Sequence, residues 1–162
     1  MSETIYSQPY AVKIPPILVA KDRQVGHNPE NELISRLHNR LEAEGIKLEN
    51  MREFGFDIPV SREEQAEGKR GYEYWVQVPG FSYDIPGLQV ESFKGGNYLA
   101  LRIDNPFAEP CARIPEAWDR LVKYFEEQQI TADDHHEAGV CLEEVSANQS
   151  MEVMTIYIRI KD

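Results

Sequence analysis

Aromatic and acidic side chains alternate along the strands of this chain in a pattern that suits the binding of an organic cation. If the aliphatic side chains of each strand face the helices, the opposite face collects Trp75, Tyr98 and Tyr157 with the carboxylates of Glu143 and Asp57. Aromatic rings attract cations through their π faces, and a carboxylate neutralises the charge. These residues therefore predict a site for a lipophilic cation, with Glu143 as its main acidic contact.

Each of these residues also has a plainer interpretation. Glu143 is equally consistent with an ordinary solvated strand residue. Trp75 and Tyr157 are consistent with merely covering a sheet face, because aromatic side chains favour strands. Trp118 falls on the apolar stripe of a helix, which favours a core position with the indole at the edge of the site.

Catalysis is the second chemistry that these residues allow. Glu143 has the functional group of a general base or nucleophile, and Trp75 and Tyr157 would bracket an electrophilic substrate. No serine or cysteine has the context of a nucleophile elbow, and no glycine-rich phosphate loop is present. The sequence supplies no evident second catalytic group beyond Asp57.

A histidine pair is the remaining candidate for chemistry. His135 and His136 lie within the acidic segment 133–137. Neighbouring residues of a turn seldom converge on one ion, and no second ligand set with zinc spacing exists. We therefore predict neither a metal nor a cofactor.

The elements that must position the site occur twice along the chain. The same pattern of a strand, an amphipathic helix and two further strands is predicted for residues 11–80 and again for residues 88–161, with a linker at 81–87. Period-2 alternation in the strands is typical of an antiparallel sheet covered on one face. We therefore predict an α+β domain with about eight antiparallel strands, two main helices on one face and a ligand cleft at the seam of two pseudo-symmetric β-α-β-β repeats.

Alternation also predicts the direction of each side chain. In the strand 71–79, Tyr72, Tyr74, Val76 and Val78 share the face towards the helices, and Glu73, Trp75 and Gln77 share the other. The same rule turns Phe56 and Ile58 of the segment 54–59 towards the helices, and likewise Val140 and Leu142 of 140–145. Asp57 and Glu143 are thereby predicted on the face of Trp75 and Tyr157.

Size and charge limit the class of protein. The 162 residues predict a single domain, 1–162, and the net charge of −11 repels phosphate backbones, which argues against direct nucleic-acid binding. The same field favours cationic small molecules, although solubility alone would also account for it. No apolar run approaches the roughly 20 residues that span a bilayer, and no signal peptide is visible. We expect a cytoplasmic protein without membrane contact, with Cys111 and Cys141 reduced.

Several segments together resemble a known family. They are Ile114-Pro115-Glu116-Ala117-Trp118-Asp119-Arg120-Leu121, Cys141-Leu142-Glu143-Glu144 followed by Ile156-Tyr157-Ile158, and Gly55-Phe56-Asp57-Ile58-Pro59 followed by Tyr72 to Pro79. In this order and spacing they are similar to GyrI-like small-molecule-binding domains, over roughly residues 12–160.

The resemblance implies a tandem β-α-β-β module, the effector-binding fold also attached to AraC-type and MerR-type bacterial transcription regulators. In that family a cleft between the repeats binds small, often cationic and aromatic, compounds. The acidic counter-charge on the third strand of the second repeat corresponds to Glu143, while Val145 stands where an aromatic residue is usual. Some stand-alone members resemble hydrolases that open cyclopropane rings with a pocket glutamate.

The resulting prediction is a stand-alone domain that sequesters or senses amphipathic, cationic aromatic compounds. Its ligand contacts are Glu143, Trp75, Tyr157, Tyr98, Asp57 and Trp118. The alternatives are a hydrolase of strained-ring electrophiles that uses Glu143, and a protein-interaction module whose partner the sequence does not identify.

Overall fold

The computed structural model describes residues 4–148 and 151–162, which form eight β-strands and three α-helices. The strands are β1 (Tyr10–Ile14), β2 (Ile17–Gly26), β3 (Glu53–Ile58), β4 (Arg70–Gln77), β5 (Val90–Phe93), β6 (Gly96–Asp104), β7 (Cys141–Asn148) and β8 (Met151–Arg159). The helices are α1 (Pro29–Ala43), α2 (Arg62–Ala66) and α3 (Pro110–Glu127). Within the described ranges, no helix is both long and apolar enough to cross a membrane.

The chain divides into two compact units. The central unit is Pro16–Phe93, and the terminal unit comprises the chain up to Pro15 and from Lys94 onwards. The central unit has the antiparallel strand order β5-β2-β4-β3 with α1, and the terminal unit has the order β1-β6-β8-β7 with α3. The two units therefore share one topology, which confirms the α+β class and the duplicated strand–helix–strand–strand pattern.

The first strand of each repeat belongs to the unit of the other repeat. β1 precedes β2 in sequence but pairs with β6, where Tyr10 lies opposite Ala100. β5 precedes β6 but pairs with β2, where Phe93 lies opposite Ile17. Each sheet is thus completed by an edge strand from the neighbouring repeat, which the sequence pattern did not predict.

Helix α1 follows its sequence pattern closely. Leu33, Leu37 and Leu41 are buried at helical spacing. Leu37 and Leu41 pack with Ala20 of β2 and Val76 of β4. The helix ends two residues before Gly45, whose φ of 79° lies in the left-handed region that glycine adopts without steric cost.

Helix α3 begins at Pro110, and Pro115 lies inside it. Ala117, Leu121 and Phe125 are buried against the aliphatic residues of β6 and β8. Trp118 is partly buried in the same cluster. The structure therefore places the Trp118 indole against the core of the terminal unit.

Segment 61–70 contains the short helix α2 between β3 and β4. Ser61 caps α2 by accepting a hydrogen bond from the backbone N–H of Glu64, whose carboxylate accepts from the backbone N–H of Ser61. This reciprocal capping box stabilises the short helix.

Strand directions were predicted correctly for β4 and β8 but wrongly for β3 and β7. Directly opposite residues of antiparallel strands point to the same face. Asp57 lies opposite Tyr72, and Glu143 lies opposite Ile156, so both carboxylates are on the helix side of their sheets. Phe56, predicted towards the helix, lies opposite Glu73 on the other side.

The physical reason for this error is that both faces of each sheet bury apolar side chains. Phe54 and Leu142 are fully buried although they lie opposite Trp75 and Tyr157, away from the helices. The rule that the apolar face of a strand packs against the helix cannot be applied where both faces of the sheet are buried.

Candidate functional site

The central unit carries aromatic side chains on the side of its sheet away from α1, which we call the aromatic face. Trp75 on β4 lies opposite Lys21 on β2 and Phe54 on β3. The next pair along β4 places Glu73 opposite Arg23 and Phe56. The strand register therefore places the acidic side chain of Glu73 among aromatic rings and two cationic side chains, those of Lys21 and Arg23.

Ring contacts tie the aromatic face together. The Trp75 indole meets the edge of Phe56 at a centroid distance of 5.0 Å and an interplanar angle of 83°. It also packs against Phe93 of β5 at 5.0 Å and 56°. Such tilted and edge-to-face contacts are the favourable geometries for aromatic pairs. All three rings are buried.

Glu73 is a buried carboxylate within this aromatic face, with only 2% of its surface exposed. Its Oε2 accepts a hydrogen bond from the Trp75 indole Nε1–H at 2.7 Å. Its Oε1 accepts from Nη2 of Arg23 at 2.6 Å. A carboxylate removed from water in this way must have a compensating cation or donor. The arrangement is chemically suited to hold a positive charge against aromatic rings.

Sequence reasoning missed Glu73 although its signal was present. Alternation placed Glu73 and Trp75 on one face of β4, two residues apart. A carboxylate on a strand is usually solvated, so only its burial distinguishes Glu73 from the other acidic residues of this chain. The useful signal is therefore the Glu-x-Trp spacing on a strand whose two faces are both apolar.

The terminal unit has an equivalent but chemically different face. Tyr157 lies opposite Ala100 and Leu142, which is the register position of Trp75 in the central unit. Its ring meets Tyr98 edge-on at 6.0 Å. Trp75 and Tyr157 therefore occupy equivalent register positions, and both lie on the sides of their sheets away from the helices, as alternation predicts.

The acid beside Tyr157 is Glu144 rather than Glu143. The Tyr157 hydroxyl donates a hydrogen bond to Oε1 of Glu144 at 2.6 Å. Glu144 lies opposite Thr155, on the same side of the sheet as Tyr157. A one-residue error in the direction of β7 therefore selected the wrong glutamate as the neighbour of Tyr157.

A buried guanidinium distinguishes this face of the terminal unit from the aromatic face of the central unit. Arg159, at the position that corresponds to Gln77, exposes only 4% of its side chain. Its Nε contacts Asp133 at 3.0 Å and its Nη2 contacts Glu137 at 2.9 Å. The pKa of the Asp133 carboxyl is lowered by the Asp134 backbone N–H and by Arg159, and Arg159 lowers the pKa of Glu137.

Tyr98 lies directly opposite Arg159 and is fully buried. Its hydroxyl donates to the carbonyl oxygen of Gly139 at 2.5 Å. Burial raises the pKa of Tyr98 to about 12. Tyr98 is therefore a neutral, fixed donor at neutral pH.

The remaining predicted contacts lie elsewhere. Asp57 has an exposed side chain 3.7 Å from Arg70, which also bonds Glu30 of α1. Glu143 is half-buried on the helix side of β7, and Trp118 packs in the α3 cluster. Of the predicted residues, the structure brings Tyr98 and Tyr157 into contact with each other.

The histidine pair is closer to metal-site geometry than its sequence suggested. The ligand atoms of Asp134, His135 and His136 lie within 4.8 Å of one another. All three side chains are exposed, and the two imidazole rings contact each other at an interplanar angle of 40° with centroids 4.0 Å apart. Three exposed groups of one turn do not enclose an ion, and we assign no metal to them.

Comparisons with known proteins find the fold and no sequence family. No family model matches the chain, and no curated protein matches it. Similar solved structures include EcmrR in a DNA complex, with a TM-score of 0.72, 12% identity and 98% of this chain covered. This chain spans 58% of the length of that one. The EcmrR C-terminal domain alone gives a TM-score of 0.69 and 13% identity, covering 98% of this chain and 99% of that one.

Two further structures bear on ligand chemistry. SAV2435 bound to tetraphenylphosphonium is similar with a TM-score of 0.57 and 12% identity, over 96% of this chain and 94% of that one. A hydrolase from Listeria innocua gives a TM-score of 0.59 and 10% identity, over 95% and 92%. At such identities the likeness shows the fold alone, which this chain shares with the EcmrR C-terminal domain and with SAV2435.

Proposed function

We propose that this chain binds small cationic aromatic compounds and that Glu73, with Trp75, Phe56 and Phe93, is the recognition centre. The observation that carries the proposal is the burial of the Glu73 carboxylate among these rings, with the Trp75 indole fixing one of its oxygens. Nothing in the packing of a sheet requires an acid there. Recognition of a cationic ligand would give this acid a function.

The energetics favour a ligand that carries both charge and rings. A buried carboxylate is costly unless it is paired, so a cation at Oε1 offsets the loss of hydration. Aromatic substituents on that cation would pack on the neighbouring rings, and a cation over an aromatic face contributes roughly 0.5–2 kcal/mol. The combined requirement selects lipophilic organic cations over both inorganic ions and neutral aromatics.

Differences between the two units favour the central one as the cation site. On the corresponding face of the terminal unit, the buried charged group is the Arg159 guanidinium, which already pairs with Asp133 and Glu137. On the aromatic face the buried charged group is the carboxylate of Glu73, which a ligand cation could pair with. The net charge of −11 also raises the local concentration of cations around the chain. The contacts predicted from sequence, Tyr157, Tyr98, Glu143, Asp57 and Trp118, lie outside this recognition centre and are tested separately from Glu73.

The fold comparisons support this class of ligand. SAV2435, which shares the fold, is bound to tetraphenylphosphonium, a large aromatic cation. EcmrR, which shares it too, is seen with DNA as a longer chain. We propose that the present chain senses or sequesters such compounds in the cytoplasm and does not contact nucleic acid directly.

Calorimetric titration with tetraphenylphosphonium tests the proposal. Glu73→Gln keeps the shape of the side chain and an acceptor for the Trp75 indole but removes the charge. We expect its affinity to fall by at least about tenfold, as for the loss of a desolvated charge partner. Equal affinity of wild type and Glu73→Gln would contradict the proposal.

Glu91→Gln is the matched control. Glu91 is exposed on the same side of the sheet, where it pairs with Lys21 at 2.9 Å, and its substitution changes net charge by the same amount. If both variants lost affinity equally, binding would reflect diffuse charge. Neutral triphenylphosphine oxide should bind weakly to all three proteins, because it has no charge to pair with Glu73.

A further inference from the structure

Arg23 reaches the proposed site from the surface. It lies on β2 directly opposite Glu73, and its Nη2 contacts Oε1 of that carboxylate at 2.6 Å. The two side chains differ sharply in burial, with 66% of Arg23 exposed and 3% of Glu73. The Arg23 guanidinium therefore marks the route by which solvent, or a solute, approaches the buried carboxylate.

The backbone of Arg23 is held by two hydrogen bonds, whereas its side chain is held by the ion pair with Glu73. Its amide N–H donates to Oδ1 of Asp22 at 2.8 Å, and its carbonyl accepts from Arg36 at 3.3 Å. The guanidinium stands at the end of a flexible, hydrated chain and is held by its bond to Glu73. Because most of the Arg23 side chain is in water, breaking its bond to Glu73 frees side-chain rotamers that this bond restricts.

The same register position in the terminal unit shows that the fold does not require this pairing. Arg102 on β6 occupies the position of Arg23, but it lies opposite Thr155 instead of a carboxylate. Its Nε contacts Asp104 of its own strand at 3.3 Å, and half of the side chain is exposed. An arginine thus stands at both positions, and only Arg23 neutralises a buried acid.

We infer that Arg23 is a resident counter-ion of Glu73 that a cationic ligand must displace. This inference rests on the proposed function and adds how the site selects its ligands. The resting site is neutral because it holds a cation of its own. A ligand cation replaces the guanidinium at Oε1, so the carboxylate keeps a counter-charge throughout. A neutral aromatic compound that moved Arg23 away would leave the buried carboxylate unpaired, which is unfavourable.

Substitution of Arg23 should therefore strengthen binding. We expect Arg23→Gln to lower the dissociation constant for tetraphenylphosphonium by about tenfold, which corresponds to one charge-assisted hydrogen bond of competition. Arg23→Lys keeps a competing cation and should give a smaller gain. Arg102→Gln is the matched control, since it removes the same charge from the same register position and should leave the affinity near that of wild type.

A second measurement uses the wild-type protein and does not depend on the stability of a variant. Titration with tetraphenylphosphonium, followed by arginine side-chain NMR, should move the Arg23 Nε–H resonance to the position of a solvated arginine. The Arg102 resonance should stay in place. An Arg23 signal unmoved at saturation would overturn the inference.

The outcomes separate the two proposals. Wild-type binding with Arg23→Gln no tighter than Arg102→Gln overturns the role of Arg23 and leaves ligand binding at Glu73 standing. Absence of phosphonium binding by wild type and every variant overturns both. Tighter binding by Arg23→Gln, together with release of the Arg23 resonance, supports the displacement.

Discussion

The indole Nε1–H of Trp75 donates to Oε2 of Glu73, two residues earlier on β4, at 2.7 Å. Residues two apart on a strand share a face and stand roughly 6–7 Å apart along it. The tryptophan side chain is long enough to cross that gap and hold the carboxylate. It thereby orients the second oxygen, Oε1, towards the position where Arg23 contacts it.

Trp75→Phe is expected to weaken ligand binding and to lower stability. The substitution keeps part of the ring packing with Phe56 and Phe93, but it removes the N–H that donates to Glu73. A buried carboxylate that loses a hydrogen bond costs roughly 1–3 kcal/mol. Denaturant unfolding and phosphonium calorimetry measure the two effects.

Trp118→Phe is the control for Trp75→Phe. Trp118 packs in the α3 cluster, so its substitution should change the unfolding midpoint and leave phosphonium affinity unchanged. A loss of affinity confined to Trp118→Phe would place the ligand near α3 instead.

The duplicated pattern, both long helices and the directions of β4 and β8 could be predicted from sequence because apolar residues recur on one face of each element at the period of a helix or a strand. Leu33, Leu37 and Leu41 follow helical spacing, and they are the residues that α1 buries. The directions of β3 and β7 could not be predicted in this way. Phe54 and Phe56 are apolar but face away from α1, because the aromatic face is also buried.

The candidate site was predicted only in part for the same reason. Trp75 and Tyr157 lie where alternation placed them, whereas Asp57 and Glu143 are on the opposite sides of their sheets. The Glu-x-Trp spacing places Glu73 beside Trp75 but does not by itself show that Glu73 is buried. The nearby rings, Phe56 opposite Glu73 and Phe93 against Trp75, come from other strands.

Gly55→Ala is expected to destabilise the central unit by roughly 1–3 kcal/mol, the range for overpacking a well-packed interior. A methyl group at this position would overlap the Tyr72 ring and hydroxyl, which lie over the glycine. Tyr72 is itself buried, so it has little freedom to move aside. Urea unfolding measures the change.

Gly26→Ala provides the contrast for Gly55→Ala. Gly26 also lies in a strand of the central unit, and a methyl group there meets nothing within 4 Å. Its unfolding free energy should equal or slightly exceed that of wild type, because alanine restricts the unfolded chain. Equal destabilisation by both substitutions would show that strand propensity, and not the Tyr72 contact, is responsible.

The Asp133–Arg159–Glu137 cluster should make the terminal unit sensitive to acid. The pKa values of both carboxyls are lowered from their ordinary values of 3.8 and 4.5. Their contribution to stability is complete above those ordinary values and is lost as pH falls through the lowered ones. Urea midpoints at pH 3–7 should therefore drop less steeply in Asp133→Asn/Glu137→Gln than in wild type.

That double variant should also be less stable at neutral pH, because it leaves the buried Arg159 guanidinium without its carboxylates. Glu127→Gln, at an exposed position of α3, should keep the wild-type pH profile. Parallel profiles for wild type and the double variant would show that other carboxyls govern acid unfolding.

Tyr98 predicts the opposite behaviour in alkali. Burial raises its pKa to about 12 from an ordinary value of 10.0. Between these values the folded protein keeps the hydroxyl proton that the unfolded chain loses, so stability is complete below about pH 10 and declines as pH rises towards 12. Tyr98→Phe should flatten that decline in urea melts, whereas Tyr83→Phe, at an exposed position, should not. A decline of equal slope in Tyr98→Phe would assign the effect to other groups.

Glu143→Gln and Glu144→Gln separate a binding protein from a hydrolase. Glu144 accepts a hydrogen bond from the Tyr157 hydroxyl, a pair able to pass a proton, while Glu143 lies opposite Ile156 on the helix side. If cation recognition centres on Glu73, both variants should bind tetraphenylphosphonium within about threefold of the Glu91→Gln control, a difference under 1 kcal/mol. Calorimetry of the three proteins at one ionic strength measures this.

The same variants should be assayed with an electrophilic cyclopropane substrate. We expect no turnover by the wild type, because a binding site needs only charge and ring contacts that are already present in the ground state. Turnover by the wild type that is lost in Glu143→Gln with binding retained would establish a hydrolase with Glu143 as base or nucleophile. A tenfold loss of phosphonium affinity in Glu143→Gln, with Glu73→Gln unaffected, would instead return the role of counter-charge to Glu143, as the resemblance to GyrI-like domains implies.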